Sequence, residues 1–401
     1  MEINSVLSVE RVEVLLIISA IVALAARRLR MPYTVGLVVA GTALASIGVL
    51  QGFPLTKELI FRAFLPPLIF EAAFFIRWKE LKENLVPVLI LASIGVVVAA
   101  VVIAPAMVLL GGWTWPVAIL FGTLIAATDP VSVIAMFKEL KVEGRLRLLV
   151  EAESLFNDGV AAVLFSVALL YAGGTELTLS LSGMTLLTEV GGGLASGAAV
   201  AAAVLFLAGR TDDHLVELTF TTVAAFGAFL LAEHFHSSGV LAVLVAGLAI
   251  GNLGHIGAIT DQGREAVGAF WEFVAFIANS FVFLLIGVRE HAIASLLIQH
   301  IDLIALAIVT SLVGRAIAVY GVTGLFSRSK HKIEGRHKHV LVWGGLKGAL
   351  SLALAIGLPE DMPFREQVVA VTFGVVAFSV IVQGMTMPLL MRRLGLIGAR
   401  A

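Results

Sequence analysis

The 401-residue chain contains no cysteine. That excludes a disulfide framework, a thiolate metal site and a cysteine nucleophile. Charge is scarce as well: 14% of residues are Asp, Glu, Lys or Arg and the formal net charge is −1, where a soluble domain carries about 25% charged residues. A chain so nearly neutral offers no electrostatic footprint for a nucleic-acid partner. The opening stretch, MEINSVLSVERVEV, lacks the basic region and small-residue cleavage site of a signal peptide, so the first apolar segment is expected to be retained. None of the polar connections reads as a soluble domain.

Apolar residues are what the chain has in excess, at 59% hydrophobic with mean hydropathy +1.03. One core cannot hide them all, and most must face lipid. A span needs roughly 20 apolar residues. Thirteen candidates fall near 12–28, 33–50, 59–76, 85–110, 115–137, 148–172, 184–208, 214–233, 237–254, 266–288, 299–326, 338–358 and 366–391. The expected fold is therefore an all-α polytopic membrane protein forming one transporter unit over residues 1–401, with a short tail at 392–401. Lys and Arg alternate with that count. Arg27, Arg28 and Arg30, then Arg77, Lys79 and Lys82, then Lys138, Lys141, Arg145 and Arg147 follow odd-numbered spans, as do Arg210, Arg264, Arg328, Lys330, Lys332, Arg336, Lys338, Arg392, Arg393 and Arg400. Only Arg11, Lys57, Arg62, Arg289 and Arg365 fall on the other side. The positive-inside rule then puts the N-terminus outside and the C-terminus in the cytoplasm. With so short a tail, a prokaryotic cell membrane is the expected location.

Thirteen is six plus one plus six. Spans 1–6 (12–172) and 8–13 (214–391) are expected to form inverted repeats joined by a linker helix at 184–208, a transporter design whose broken helices build a midplane site. Span 5 reads TWPVAILFGTLIAATDPVSVIAMF, and Pro130 both removes a backbone hydrogen bond and disfavours helix at Asp129. Its counterpart, span 12, carries Gly344, Gly345 and Gly348 around Lys347. Two unwound, crossing segments are expected. Irregular backbone at membrane depth survives only where protein or a water-filled cavity satisfies it. Span 7 is rich in small residues and suits close helix packing.

The charged residues within spans carry the chemistry. Asp129 and Asp158 lie at similar depth on consecutive spans, roughly 10–14 Å in at about 1.5 Å per residue. Ser154 and Asp158 are i,i+4, as are Glu153 and Asn157, so the four share one helix face. One buried acid reads readily as structural; two at matched depth beside a helix break read as functional. Carboxylates, the Thr128 and Ser154 hydroxyls and free carbonyls are hard oxygen ligands, suited to Na⁺ or Li⁺ and poor for zinc or copper. A buried carboxylate holds a proton or a cation, seldom both. Mutual exclusion at one site, presented alternately to each side, is antiport.

Other charges need partners. Arg315 in span 11 does not deprotonate, and Glu153 is the acid expected to pair with it. Lys347 is expected to satisfy loose carbonyls or Asp129, with proton carriage as the alternative. Glu71, in LPPLIFEAAFF, reads equally as access funnel or helix packing, and Glu217 and Glu272 read as packing or interface residues. His331, His337 and His339 stand in a basic loop, solvated or pH-sensing.

TDPVSV, ESLFNDGVA, LPPLIFEAAFF and GRAIAVY followed by WGGLKGALS together resemble NhaP-type sodium/proton antiporters, prokaryotic relatives of the animal NHE exchangers, over about residues 12–391. The resemblance implies a 13-helix inverted-repeat fold, a homodimer, and elevator-like movement of a core domain against a dimerisation domain. It implies Na⁺ held at Thr128, Asp129, Ser154 and Asp158, with Glu153 tied to Arg315 and Asn157 steadying the site. An Asn-Asp pair, rather than two aspartates, implies electroneutral exchange of one cation for one proton. One position departs: Lys347 stands where the family commonly has arginine, keeping the charge and losing the planar fork.

The reading is a transporter, not an enzyme, needing no cofactor beyond its ions (Na⁺, Li⁺ and H⁺), with the lipid bilayer and a second copy as partners and no nucleic acid. K⁺/H⁺ exchange on the same fold is the alternative, because oxygen ligands alone do not fix cation size. An organic-anion symporter lacks a free intramembrane cation if Arg315 is paired. A channel needs no buried titratable pair. A membrane hydrolase lacks a water-activating arrangement around Asp129-Pro and Asn-Asp-Gly.

Overall fold

The computed structural model describes residues 9–29, 31–50, 55–176, 178–210, 213–254 and 260–397. Arg30 and Arg400 of the basic pattern, and most of the N-terminal stretch read for a signal peptide, lie outside the described residues. The regular structure of the described residues is all helical, with no strand among them. In order it forms α1 (Val9–Leu29), α2 (Tyr33–Ser46), α3 (Leu65–Phe75), α4 (Trp78–Leu109), α5 (Trp115–Ala126), α6 (Pro130–Glu139), α7 (Arg145–Ala172), α8 (Leu179–Ala208) and α9 (His214–His234). There follow α10 (Gly239–Leu253), α11 (Asp261–Ala292), the short α12 (Ala294–Gln299), α13 (Ile301–Leu325), α14 (Gly335–Trp343), α15 (Ala349–Ile356), α16 (Arg365–Phe378) and α17 (Gly384–Arg393). Among the described residues, seven stretches are long and apolar enough to cross a membrane, namely α4, α7, most of α8, α9, most of α11, α13 and the run Arg365–Arg393. Tyr33–Ser46, Trp115–Ala126 and Gly239–Leu253 are shorter apolar helices.

The helix ends follow from local chemistry. Thr178, Asp213, Ser238 and Thr260 each accept a hydrogen bond from a backbone N–H of the helix they open, which satisfies a donor the helix itself cannot pair. Proline stands at the first turns of α3 and α5; at α5, which follows extended backbone, its missing N–H costs nothing. The Pro66-Pro67 pair lies inside a helical run that is unbroken over 57–75. It opens α3 directly behind a wider, π-helical turn at Leu59–Phe64. Several expected boundaries move outward: α4 begins at Trp78, and α11 runs from Asp261 to Ala292, so that Arg264 and Arg289 belong to a helix rather than to loops. Long basic side chains allow this, because their stems lie on apolar surface while the charge reaches water.

Packing is organised around two centres. α4 lies against α5, α7 and α13, and α10 fills the angle between α3, α8 and α9. α11 runs along α2. There the two backbones nearly touch: a Cβ on Gly41 would sit 2.1 Å from the Leu284 carbonyl oxygen, and one on Gly287 would sit 2.1 Å from that of Val38. Thr42 Oγ1 uses the closeness to donate to the Gly287 carbonyl at 3.1 Å. One apolar cluster is shared by α3, α4, α5, α7, α9 and α10, and a second by α1, α2 and α11 with parts of α15 and α16.

Gly287→Val should push α2 and α11 apart and lower stability by about 1–3 kcal/mol. Gly321→Ala on α13, where no atom lies within 4 Å of the added carbon, should be silent. Thermal unfolding in detergent compares them; equal midpoints would refute the close-packing account.

Candidate functional site

The gap between α5 and α6 meets the gap between α14 and α15. Between α5 and α6, Ala127, Thr128 and Asp129 are non-helical; between α14 and α15, so are Gly345, Leu346, Lys347 and Gly348. The backbone N–H of Asp129 donates to the Leu346 carbonyl at 2.7 Å. Each helix end has its own satisfier. Lys347 Nζ donates to the carbonyls of Ala126 (3.3 Å) and Ala127 (3.1 Å), and Ser351 Oγ to that of Leu124 at 2.8 Å. Those are the carbonyls α5 leaves unpaired at its C-terminus. At the end of α14, Gln383 Nε2 donates to Trp343 O at 3.0 Å and Arg315 Nε to Leu341 O at 3.2 Å. The Lys347 N–H donates to Ser379 Oγ at 2.8 Å.

α7 passes beside the junction with Glu153, Ser154, Asn157 and Asp158 all buried. Thr128 Oγ1 donates to Ser154 Oγ at 3.1 Å, and the Thr128 backbone N–H faces the Asp158 carboxylate. A narrow cleft is lined by Thr128, Asp129, Asp158, Gly348 and Ser351, closed on another side by Leu65, Leu68 and Ile69 of α3. Asp129 and Asp158 therefore share one cavity while being only 7% and 4% exposed. Gly348 is the floor beneath Asp129: a Cβ there would lie 2.5 Å from Asp129 Cβ. The carboxylate keeps its place because position 348 has no side chain. The buried Oδ1 atoms of Asp158 and Asn157 have no hydrogen-bond partner.

Arg315 closes the far side. Its Nη1 and Nη2 each lie 2.7 Å from a Glu153 oxygen, a two-pronged pair among buried groups. Asn157 Nδ2 donates to Glu153 Oε1 at 3.4 Å. Glu71 is not in the cavity wall. It meets Lys138 of α6, which also binds Glu272 of α11. Glu217 accepts from Thr260 N–H at 3.0 Å and so anchors the start of α11. His339 stands on α14, with Nδ1 2.6 Å from Tyr320 OH. Ser351, Ser379 and Gln383 are site members that sequence reasoning passed over. Ser379 and Gln383 are polar, four apart and inside an apolar run, which puts them on one helix face and was the available signal.

The chain matches the family described as "Sodium/hydrogen exchanger, transmembrane" over residues 14–393. It is 43% identical over 375 residues to the Na(+)/H(+) antiporter ApNhaP of Aphanothece halophytica, across 93% of this chain and 71% of that protein. It is 40% identical over 375 residues to the low-affinity Na(+)/H(+) antiporter NhaS1 of a Synechocystis strain, across 92% and 71% respectively. The fold is similar to that of the sodium proton antiporter MjNhaP1 from Methanocaldococcus jannaschii, with a TM-score of 0.77 over 96% of this chain and 98% of that one. At 21% identity, that last likeness is one of fold.

Arg315→Met alone leaves the Glu153 carboxylate buried without its partner and should cost about 3–5 kcal/mol. Arg315→Met with Glu153→Leu removes both charges and should recover most of that loss. Thermal midpoints of the two variants decide it: a double variant no better than the single one contradicts the pairing energetics.

Proposed function

We propose that this chain, which belongs to the transmembrane sodium/hydrogen exchanger family, is a secondary antiporter that exchanges Na⁺ or Li⁺ for H⁺ in a cell membrane. The observation that carries the reading is the single cavity holding both Asp129 and Asp158 beside the Thr128 and Ser154 hydroxyls. The cation binds between the two carboxylates, with hydroxyl and carbonyl oxygens replacing part of its water shell. With the cation gone, two acids in one dry site do not both stay ionised, and a proton takes its place. Cation and proton thus compete, and the site travels loaded with one or the other. The names of the similar proteins in Aphanothece and Synechocystis support Na⁺ as the cation.

Charge bookkeeping supports electroneutral one-for-one exchange. Arg315 and Glu153 cancel each other. Asp129 and Asp158 against the Lys347 ammonium leave one negative charge, which either one Na⁺ or one H⁺ neutralises. A neutral unit moves without working against the membrane potential, which otherwise exacts about 2.3 kcal/mol per charge per 100 mV.

Thirteen spans in inverted repeats also belong to this reading, with α5–α6 and α14–α15 each counted as one broken span and the N-terminus outside. The packing supports the repeat. Shifting every span by seven exchanges the α2–α11 contact with α3–α10, α1–α2 with α9–α10, and α4–α7 with α13–α16, while α4–α13 maps onto itself. The repeats then present the cavity to one face and the other by elevator-like sliding within a homodimer, as the family motifs imply.

Asp158→Asn should abolish Na⁺-driven proton movement in proteoliposomes; exchange surviving at the wild-type rate would end the proposal. In the wild type, raising the proton concentration should raise the apparent half-saturation for Na⁺ and leave the maximal rate. A change in maximal rate alone would mean separate sites. Clamping the voltage should leave the exchange rate unchanged, and a steady voltage dependence would reject one-for-one stoichiometry.

A further inference from the structure

Lys138 holds a place that cation–proton exchange leaves without a role. It lies in the last turn of α6, the half-helix that begins at the cavity with Asp129-Pro130. Its ammonium stands 3.3 Å from Glu71 Oε1 on α3 and 3.1 Å from Glu272 Oε1 on α11. The Phe75 ring, also on α3, has its centre 5.7 Å away. One side chain therefore joins the broken helix to two others.

The position of that joint matters. Leu65, Leu68 and Ile69 of α3 form one wall of the inner cavity, and Thr128 and Asp129 form another. Glu71 follows Leu68 by three residues, so it stands on the same side of α3. α6 descends from Asp129, and helical side chains lean toward the N-terminus. The Lys138 chain accordingly reaches back toward the cavity and meets Glu71 beneath Leu68. Beside the joint is an open vestibule whose wall includes Phe75, Asn252, Arg264 and Glu272. Along α3, Glu71 falls between Leu68 and Ile69, which line the inner cavity, and Phe74 and Phe75, which line the vestibule, whose wall also includes Glu272.

The geometry points to Lys138 as a tethered cation that closes the route between the vestibule and the Asp129/Asp158 cavity by occupying Glu71 and Glu272. Its ammonium offers the two acids what an arriving cation would offer, so the route opens when the tether lets go. The partners suit a contact that parts repeatedly: the Glu71 side chain is 12% exposed, Lys138 40% and Glu272 54%, and pairs so close to water hold only modestly. The transport consequence rests on the antiport reading; the closure itself does not.

The absence of native cysteine makes a clean test. Leu68→Cys places a single thiol in the cavity wall, and a membrane-impermeant maleimide is added to the face that carries Lys138. Adding Lys138→Gln should raise the labelling rate about three- to tenfold, as loss of two partly exposed ion pairs allows. Lys138→Arg should stay near the parent rate, and Glu272→Gln should fall between. Equal rates for Leu68→Cys with and without Lys138→Gln would overturn the closure. Absence of Na⁺-driven proton movement in the unmodified protein would sink the antiport reading instead, and the labelling comparison would still judge the closure.

Discussion

Everything at the centre of this protein depends on how backbone polar groups are satisfied where two helices stop inside apolar surroundings. An unpaired carbonyl or N–H in hydrocarbon costs several kcal/mol, so an interrupted helix must find partners at once. Here each interruption serves the other. The Asp129 N–H is taken by Leu346, and the carbonyls released by α5 are taken by Lys347 and Ser351 from the opposite break. Neither gap is tolerable alone. That mutual backbone obligation fixes the segment that carries Asp129.

A second layer stiffens the first. Arg315 binds Glu153 with two nitrogens and spends its third on the Leu341 carbonyl at the end of α14. One residue thereby joins α13, α7 and α14. The pair also neutralises a third negative charge in the neighbourhood of Asp129 and Asp158. Buried ion pairs seldom add much net stability. What this one supplies is a fixed distance between α7 and the second break.

Much of this was legible in the sequence, for identifiable reasons. Pro130 opens α6 where the sequence suggests a break, and Gly345 and Gly348 lie in the non-helical stretch between α14 and α15. The need to balance a permanent guanidinium in apolar surroundings selects Glu153 for Arg315, and the two groups do meet. Helix ends were less legible. Hydropathy registers only the apolar stretch, whereas α4 and α11 continue into charged first or last turns. α2 errs the other way: apolar residues run on to Leu50, but the helix stops at Ser46 and the chain turns through Gly48 at φ +84°. Ser351, Ser379 and Gln383 escaped because a hydroxyl or amide in a helix announces nothing about which distant carbonyl or N–H it will meet. Lys138 read as a loop charge because its two acids come from spans far away in the chain.

Gly348 deserves a last thought because what it contributes is an empty volume. The space where a methyl would stand is filled by Asp129, so the acid's position is encoded in a residue without any ionisable atom. Genetic lesions there would masquerade as lesions of the carboxylate. A screen that ranks positions by their chemistry alone would overlook this codon, while one that ranks them by shape would set it beside the acids.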